Sequence, residues 1–186
     1  MRHALLLLGA LAVPLAACDR AAPEEIVDDG DLGTFEASVR QTDGPAFETL
    51  EGTATVSASE AGVTVRLRSP LPQGRATTLD LALDLPALPT PGTYALGKQV
   101  EDDASLCYRS EIFPGEPYRA ESGTLTVVES APGTLHGELR ATGAFDLQTG
   151  PATSVRLRIE IEGAFRAEPG EANTSPAEVR RCLPRE

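Results

Sequence analysis

The chain has 186 residues, 41% hydrophobic and 24% charged, which suits one globular domain with a core rather than a disordered chain. Aromatic residues make up only 4%, with no Trp, three Tyr and five Phe, so base-stacking platforms and large aromatic ligand clamps are not expected. With 16 Lys and Arg against 28 Asp and Glu, the formal net charge is −12, a field that repels phosphate backbones; nucleic acid is therefore not the expected partner.

Residues 1–17 (MRHALLLLGALAVPLAA) read as an export signal. Arg2 and His3 supply a short basic start, and an apolar stretch follows from Ala4 to Ala17. As a helix that stretch would span about 21 Å, short of the ~30 Å hydrocarbon layer, and Pro14 argues further against a membrane helix. Its end, Leu15-Ala16-Ala17-Cys18, resembles the lipobox of bacterial lipoproteins. That resemblance implies cleavage before Cys18, a diacylglycerol on its thiol, and a mature protein held on a cell-envelope membrane by lipid. Two or three acyl chains suffice for stable anchoring, at about 0.8 kcal/mol per buried methylene. The alternative is an ordinary secretory signal followed by a chance Cys. Asp19 resembles an inner-membrane retention signal, but that rule does not decide between inner and outer membrane here.

Residues 18–32 form an acidic segment, with Pro23 and Gly30 and no hydrophobic period, that reads as a flexible tether reaching at most ~50 Å. Asp28, Asp29 and Asp31 lack the spacing and closing Glu of a calcium loop. From residue 33 to 167 the pattern has period two. Val63, Val65 and Leu67 alternate with Thr64, Arg66 and Arg68; Leu79, Leu81 and Leu83 alternate with Asp80, Ala82 and Asp84. Val155, Leu157, Ile159 and Ile161 alternate with Arg156, Arg158, Glu160 and Glu162. One face of each strand is expected in a core and the other in water.

Segments near 34–41, 50–58, 63–69, 77–85, 93–97, 104–109, 118–129, 134–147 and 153–166 predict an all-β domain of eight to nine antiparallel strands. A sandwich is expected, with a flattened or lipocalin-like barrel as the alternative, since both share the alternation. Five Gly-Thr pairs, at Gly33, Gly52, Gly92, Gly123 and Gly133, stand where strands begin or resume, at spacings too unequal for a repeat. Residues 168–186 read as a polar, Pro-rich tail with a short turn near Pro176–Arg180.

Once Cys18 is lipidated, Cys107 and Cys182 are the remaining cysteines in an oxidising compartment, and a disulfide between them would staple the tail to the strand around Leu106–Tyr108. Two free thiols, or one Cys in a disordered tail, are the alternatives.

The order Gly33-Thr34-Phe35, Leu50-Glu51-Gly52-Thr53-Ala54, Pro91-Gly92-Thr93-Tyr94-Ala95-Leu96-Gly97, Ser122-Gly123-Thr124-Leu125-Thr126-Val127, Gly137-Glu138-Leu139 and Gly163-Ala164-Phe165 resembles a family of small bacterial lipoprotein β-domains without known function. The resemblance implies an antiparallel sandwich or flattened barrel and carries no catalytic residues; the Cys107–Cys182 pair lies outside its pattern.

Sites of chemistry are sparse. His136, the only His after cleavage, reads as a plain strand residue, because no Gly-x-Ser-x-Gly elbow is present to complete a triad. Lys98, the sole Lys, reads as a loop residue, and no phosphate loop or zinc ligand set is present. Glu101, Asp102 and Asp103, with Glu111 and Glu116, are the loop acids that a glycosidase-like hydrolase would need to converge. Tyr94, Tyr108, Phe113 and Tyr118 either line a small pocket or pack in the core, packing being the expected role. Asn173-Thr174-Ser175 reads as a chance glycosylation match. The expectation is therefore a non-catalytic, lipid-anchored envelope protein without catalytic residues, metal or cofactor, serving a structural role or binding an envelope protein. A carrier with an apolar cavity on the order of 300 Å³ or more and a carboxylate hydrolase are the alternatives.

Overall fold

The computed structural model describes residues 31–42, 44, 46–85, 87–97, 103–111, 117–150, 153–171 and 175–182. They form ten strands: β1 (Thr34–Gln41), β2 (Ala46–Ser59), β3 (Gly62–Pro70), β4 (Ala76–Leu83), β5 (Gly92–Ala95), β6 (Ala104–Arg109), β7 (Tyr118–Arg119), β8 (Ser122–Ala131), β9 (Thr134–Gly150) and β10 (Thr153–Pro169). A 3₁₀ turn at Pro72–Gly74 links β3 to β4, and one helix, α1 (Pro176–Arg181), follows β10.

All ten strands belong to one sheet, ordered β5-β8-β9-β10-β1-β2-β3-β4-β6-β7, and the named pairings along that order are antiparallel. The all-β prediction is met, and the barrel-like alternative describes the shape: the sheet curls into a half-barrel. Just after β5, Leu96 makes a single bridge to Ala104 at the start of β6, and the Gly97 N–H donates to the Ala104 carbonyl at 3.0 Å. Where β1 begins at Thr34, its two neighbours close directly, so that Glu168 and Pro169 of β10 run parallel beside Thr55 and Val56 of β2.

The segment expected as one strand over 118–129 is two. Tyr118 and Arg119 pair with β6, and from Ser122 the chain pairs with β9. Between them the Ala120 N–H reaches Leu106 O and the Glu121 N–H reaches Thr142 O, so the backbone changes partners without losing hydrogen bonds. This division raises the strand count to ten.

The alternation sorts the side chains as expected on the concave side. Val39, Leu50, Val65, Leu81, Leu106, Leu125, Ile159 and Ile161 all belong to one contiguous buried cluster. Two of the Gly-Thr pairs have a different cause from a turn. Gly52 and Gly123 lie within β2 and β8 without positive φ. A Cβ on Gly123 would press into the Arg140 carbonyl oxygen, and one on Gly52 into that of Arg68. Glycine there permits close strand approach. Gly123→Ala should accordingly cost about 1–3 kcal/mol, the usual range for overpacking, read as a lower urea midpoint with unchanged slope.

On the convex side of β3, β4 and β6 the expectation that the second face meets water is not met. Asp80 is 0% exposed, and Thr64, Ala82 and Cys107 are buried with it. The cover is α1. Val179 and Cys182 pack with Ala82 and Cys107 in a second apolar cluster, and Cys107 and Cys182 sit at disulfide geometry, S–S 1.99 Å and Cα–Cα 5.3 Å. The helix starts on a capping box: Ser175 Oγ accepts from the Glu178 N–H, and the Glu178 carboxylate accepts from the Ser175 N–H at 2.7 Å. Pro176 follows at the first helical position, where its missing N–H costs nothing. Under this cover, Asp80 accepts from Arg66 Nε at 2.7 Å and from Arg109 at 2.8 Å.

Candidate functional site

The residues singled out by sequence are scattered. Cys18 and the rest of 1–30 lie outside the described residues, as do Lys98, Glu101, Asp102, Phe113, Glu116, Asn173 and Thr174. Of the loop acids that are described, Asp103 accepts from the Ala95 N–H of β5 at 2.9 Å and Glu111 from the Ala76 N–H at the start of β4 at 3.0 Å. Tyr94 donates to the Thr90 carbonyl at 2.7 Å. Among the described residues no group of three or more His, Cys, Asp or Glu is arranged to hold a metal ion, and no helix is long and apolar enough to cross a membrane.

Tyr108 and Tyr118 pack in the interior, as expected, with ring centroids 6.3 Å apart in an edge-to-face arrangement. Beside them lies a carboxylate that the alternation did not reveal. Glu48 of β2 points inward and accepts from Thr77 Oγ1 at 2.8 Å and from the Tyr108 hydroxyl, so the buried acid is held by hydroxyls rather than by a cation. Burial, and then the Glu48 charge, push the Tyr108 hydroxyl pKa far above its ordinary value; burial and then Glu121 do the same for Tyr118. In the unfolded chain a Tyr ionises near pH 10. The stabilisation from keeping these two neutral is complete below that pH and is lost as pH rises above it. Absorbance at 295 nm should therefore show these two tyrosines ionising together with unfolding, and Tyr108→Phe with Tyr118→Phe should remove that component.

A concave feature lies on the outer face, across β9, β10, β1 and β2. This groove, ≈ 710 Å³, is open to solvent. Its geometry follows from register. Glu138 of β9 lies opposite Ala164 of β10, Ala164 opposite Glu36 of β1, and Glu36 opposite Glu51 of β2. Three carboxylates and one methyl thus form a row across four strands, with Ala164 as the low point. Neighbouring strands are ~4.8 Å apart, which sets the backbones of Glu138 and Glu36 about 10 Å apart on either side of it.

The row toward the start of β1 holds Thr34, Arg166 and His136; the row on the other side holds Thr49, Ser38 and Glu162. Glu162 is engaged by Arg40 at 3.2 Å and by Arg140, while Arg40 also binds Glu160 at 2.8 Å. His136, expected as a plain strand residue, sits on β9 facing this groove. Burial first, and then Arg166, hold its pKa below the ordinary imidazole value.

Comparison with known proteins adds no family: no family model matches the chain, and no curated protein or solved structure matches it.

Proposed function

We infer that the chain is a lipid-anchored cell-envelope protein whose β-domain is a non-catalytic scaffold for binding an envelope partner. The observation that carries the binding role is the outer groove, a recess on an otherwise convex sheet face, lined by polar side chains. The interior supports the same reading over a carrier, because the inward Leu, Val, Ile, Phe and Tyr side chains pack on one another in a single cluster. Against a carboxylate hydrolase stands the engagement of the described loop acids, Asp103 by the backbone of β5 and Glu111 by that of β4.

The lipid anchor rests on the signal-like residues 1–17 and on Cys18 after Leu15-Ala16-Ala17. A disulfide between the other two cysteines suits the oxidising space outside the cytoplasm. Cells fed radioactive palmitate should label the wild-type chain and sediment it with membranes, whereas Cys18→Ala should lose the label and leave the membrane fraction. An unlabelled wild-type chain in the soluble fraction would overturn the anchor.

A further inference from the structure

The outer groove holds charge and hydrogen-bonding capacity that the protein itself leaves unused. Glu36 and Glu51 are direct cross-strand neighbours, and like charges so placed weaken strand pairing. The cations nearest in register on one side, Arg40 and Arg140, are engaged by Glu160 and Glu162. Among the described residues no ion pair reaches Glu36, Glu51 or Glu138. Across the groove, the Arg166 guanidinium lines the wall, and among the described residues no ion pair reaches it. The site therefore presents carboxylates without an ion pair and, beside them, a guanidinium without one. A ligand that satisfies both carries positive charge and a carbonyl oxygen.

We propose that the groove seats a cationic segment of a partner polypeptide, with a Lys or Arg side chain over Ala164 between Glu36 and Glu138. A main-chain carbonyl of that segment accepts from the Arg166 guanidinium, which lines the groove. The proposal rests on the reading of the domain as a binding scaffold and names the chemistry of what it binds. The chain's own tether does not fit, since residues 19–32 carry Asp19, Glu24, Glu25, Asp28, Asp29 and Asp31 against Arg20 alone. A second copy is disfavoured by the same repulsion at a net charge of −12. A bare divalent ion does not fit either: among the described residues no group of three or more His, Cys, Asp or Glu is placed to hold one. The volume, ≈ 710 Å³, lies in the range of sites that hold several side chains.

The test uses the full chain in zwitterionic micelles at low salt and a tetralysine peptide blocked at both ends, with spermine as the charge-matched probe that lacks a carbonyl. In Glu36→Gln, Glu51→Gln, Glu138→Gln the tetralysine affinity should fall about tenfold. In Glu60→Gln, Glu111→Gln, Glu171→Gln, three exposed acids outside the groove, the same change of charge should cost less than about twofold. Spermine should bind the wild type about tenfold more weakly than the peptide. Thermal unfolding checks that both variants fold, and removal of the Glu36–Glu51 repulsion should leave the midpoint of the groove variant unchanged or raised.

Equal losses in the two triple variants would reduce the binding to net charge and overturn the proposal; so would spermine matching the peptide, or no peptide binding at all. A partner crosslinked in cells to another face would do the same while leaving the scaffold reading standing. Failure of palmitate labelling would overturn the anchor alone.

Discussion

Reducing the Cys107–Cys182 disulfide, or replacing both residues with alanine, should lower the unfolding free energy by about 4 kcal/mol on the chain-entropy account. The two residues are 75 apart in sequence, so the bond removes a large loop's freedom from the unfolded chain. It also fixes what covers the outer face of β3, β4 and β6. Six residues of helix are too few to persist alone in water. The capping box and the buried Val179 hold α1 only while the tail stays against the sheet. The expected signature is a lower urea midpoint in reductant, with amide protection of residues 175–182 lost at lower denaturant than that of β3 and β4. A midpoint and protection pattern indifferent to reductant would show that the bond contributes nothing to the fold.

Asp80→Ala should cost about 3–5 kcal/mol, the range for removing one partner of a buried ion pair. The carboxylate is wholly buried and bonded to two guanidiniums that are themselves only 12% and 14% exposed. Without Asp80, Arg66 and Arg109 face each other as like charges under α1 and lose the acceptor they share. Replacing all three together, as Arg66→Met, Asp80→Leu and Arg109→Met, should recover most of the loss, because apolar residues of similar volume need no counter-charge. Urea unfolding of the single and triple variants measures both effects. A loss below about 1 kcal/mol for Asp80→Ala would mean that the three charges are solvated like surface pairs.

The alternating segments were legible because they report a local property, the side of the sheet to which each residue points. Val155-Arg156-Leu157-Arg158-Ile159-Glu160-Ile161-Glu162 falls within β10, where Ile159 and Ile161 are buried but Val155, expected on the core face, is 45% exposed near the end of the long β9–β10 hairpin. The covered outer face was not legible. Asp80 has the pattern of a solvent-facing residue, and its partners lie 14 and 29 positions away while its cover comes from the tail. Glu48 interrupts the apolar alternation, which is why the strand was expected to begin only near residue 50; its hydroxyl partners Thr77 and Tyr108 are 29 and 60 positions off.

The groove depends on register across four strands drawn from residues 36 to 164, and period two fixes faces without fixing register. One local signal was stronger than the turn read from it: Ser175-Pro176-Ala177-Glu178 has the spacing of a capped helix start, and a helix begins there.

Photocrosslinking in living cells tests the scaffold account most directly. A photoreactive residue at Ser38, inside the groove between Thr49 and Glu162, should give a discrete membrane-associated adduct whose crosslinked partner peptide carries net positive charge. The same residue at Glu60, in the exposed β2–β3 turn, should give none. Adducts formed equally from both positions, or from neither, would contradict binding through this face.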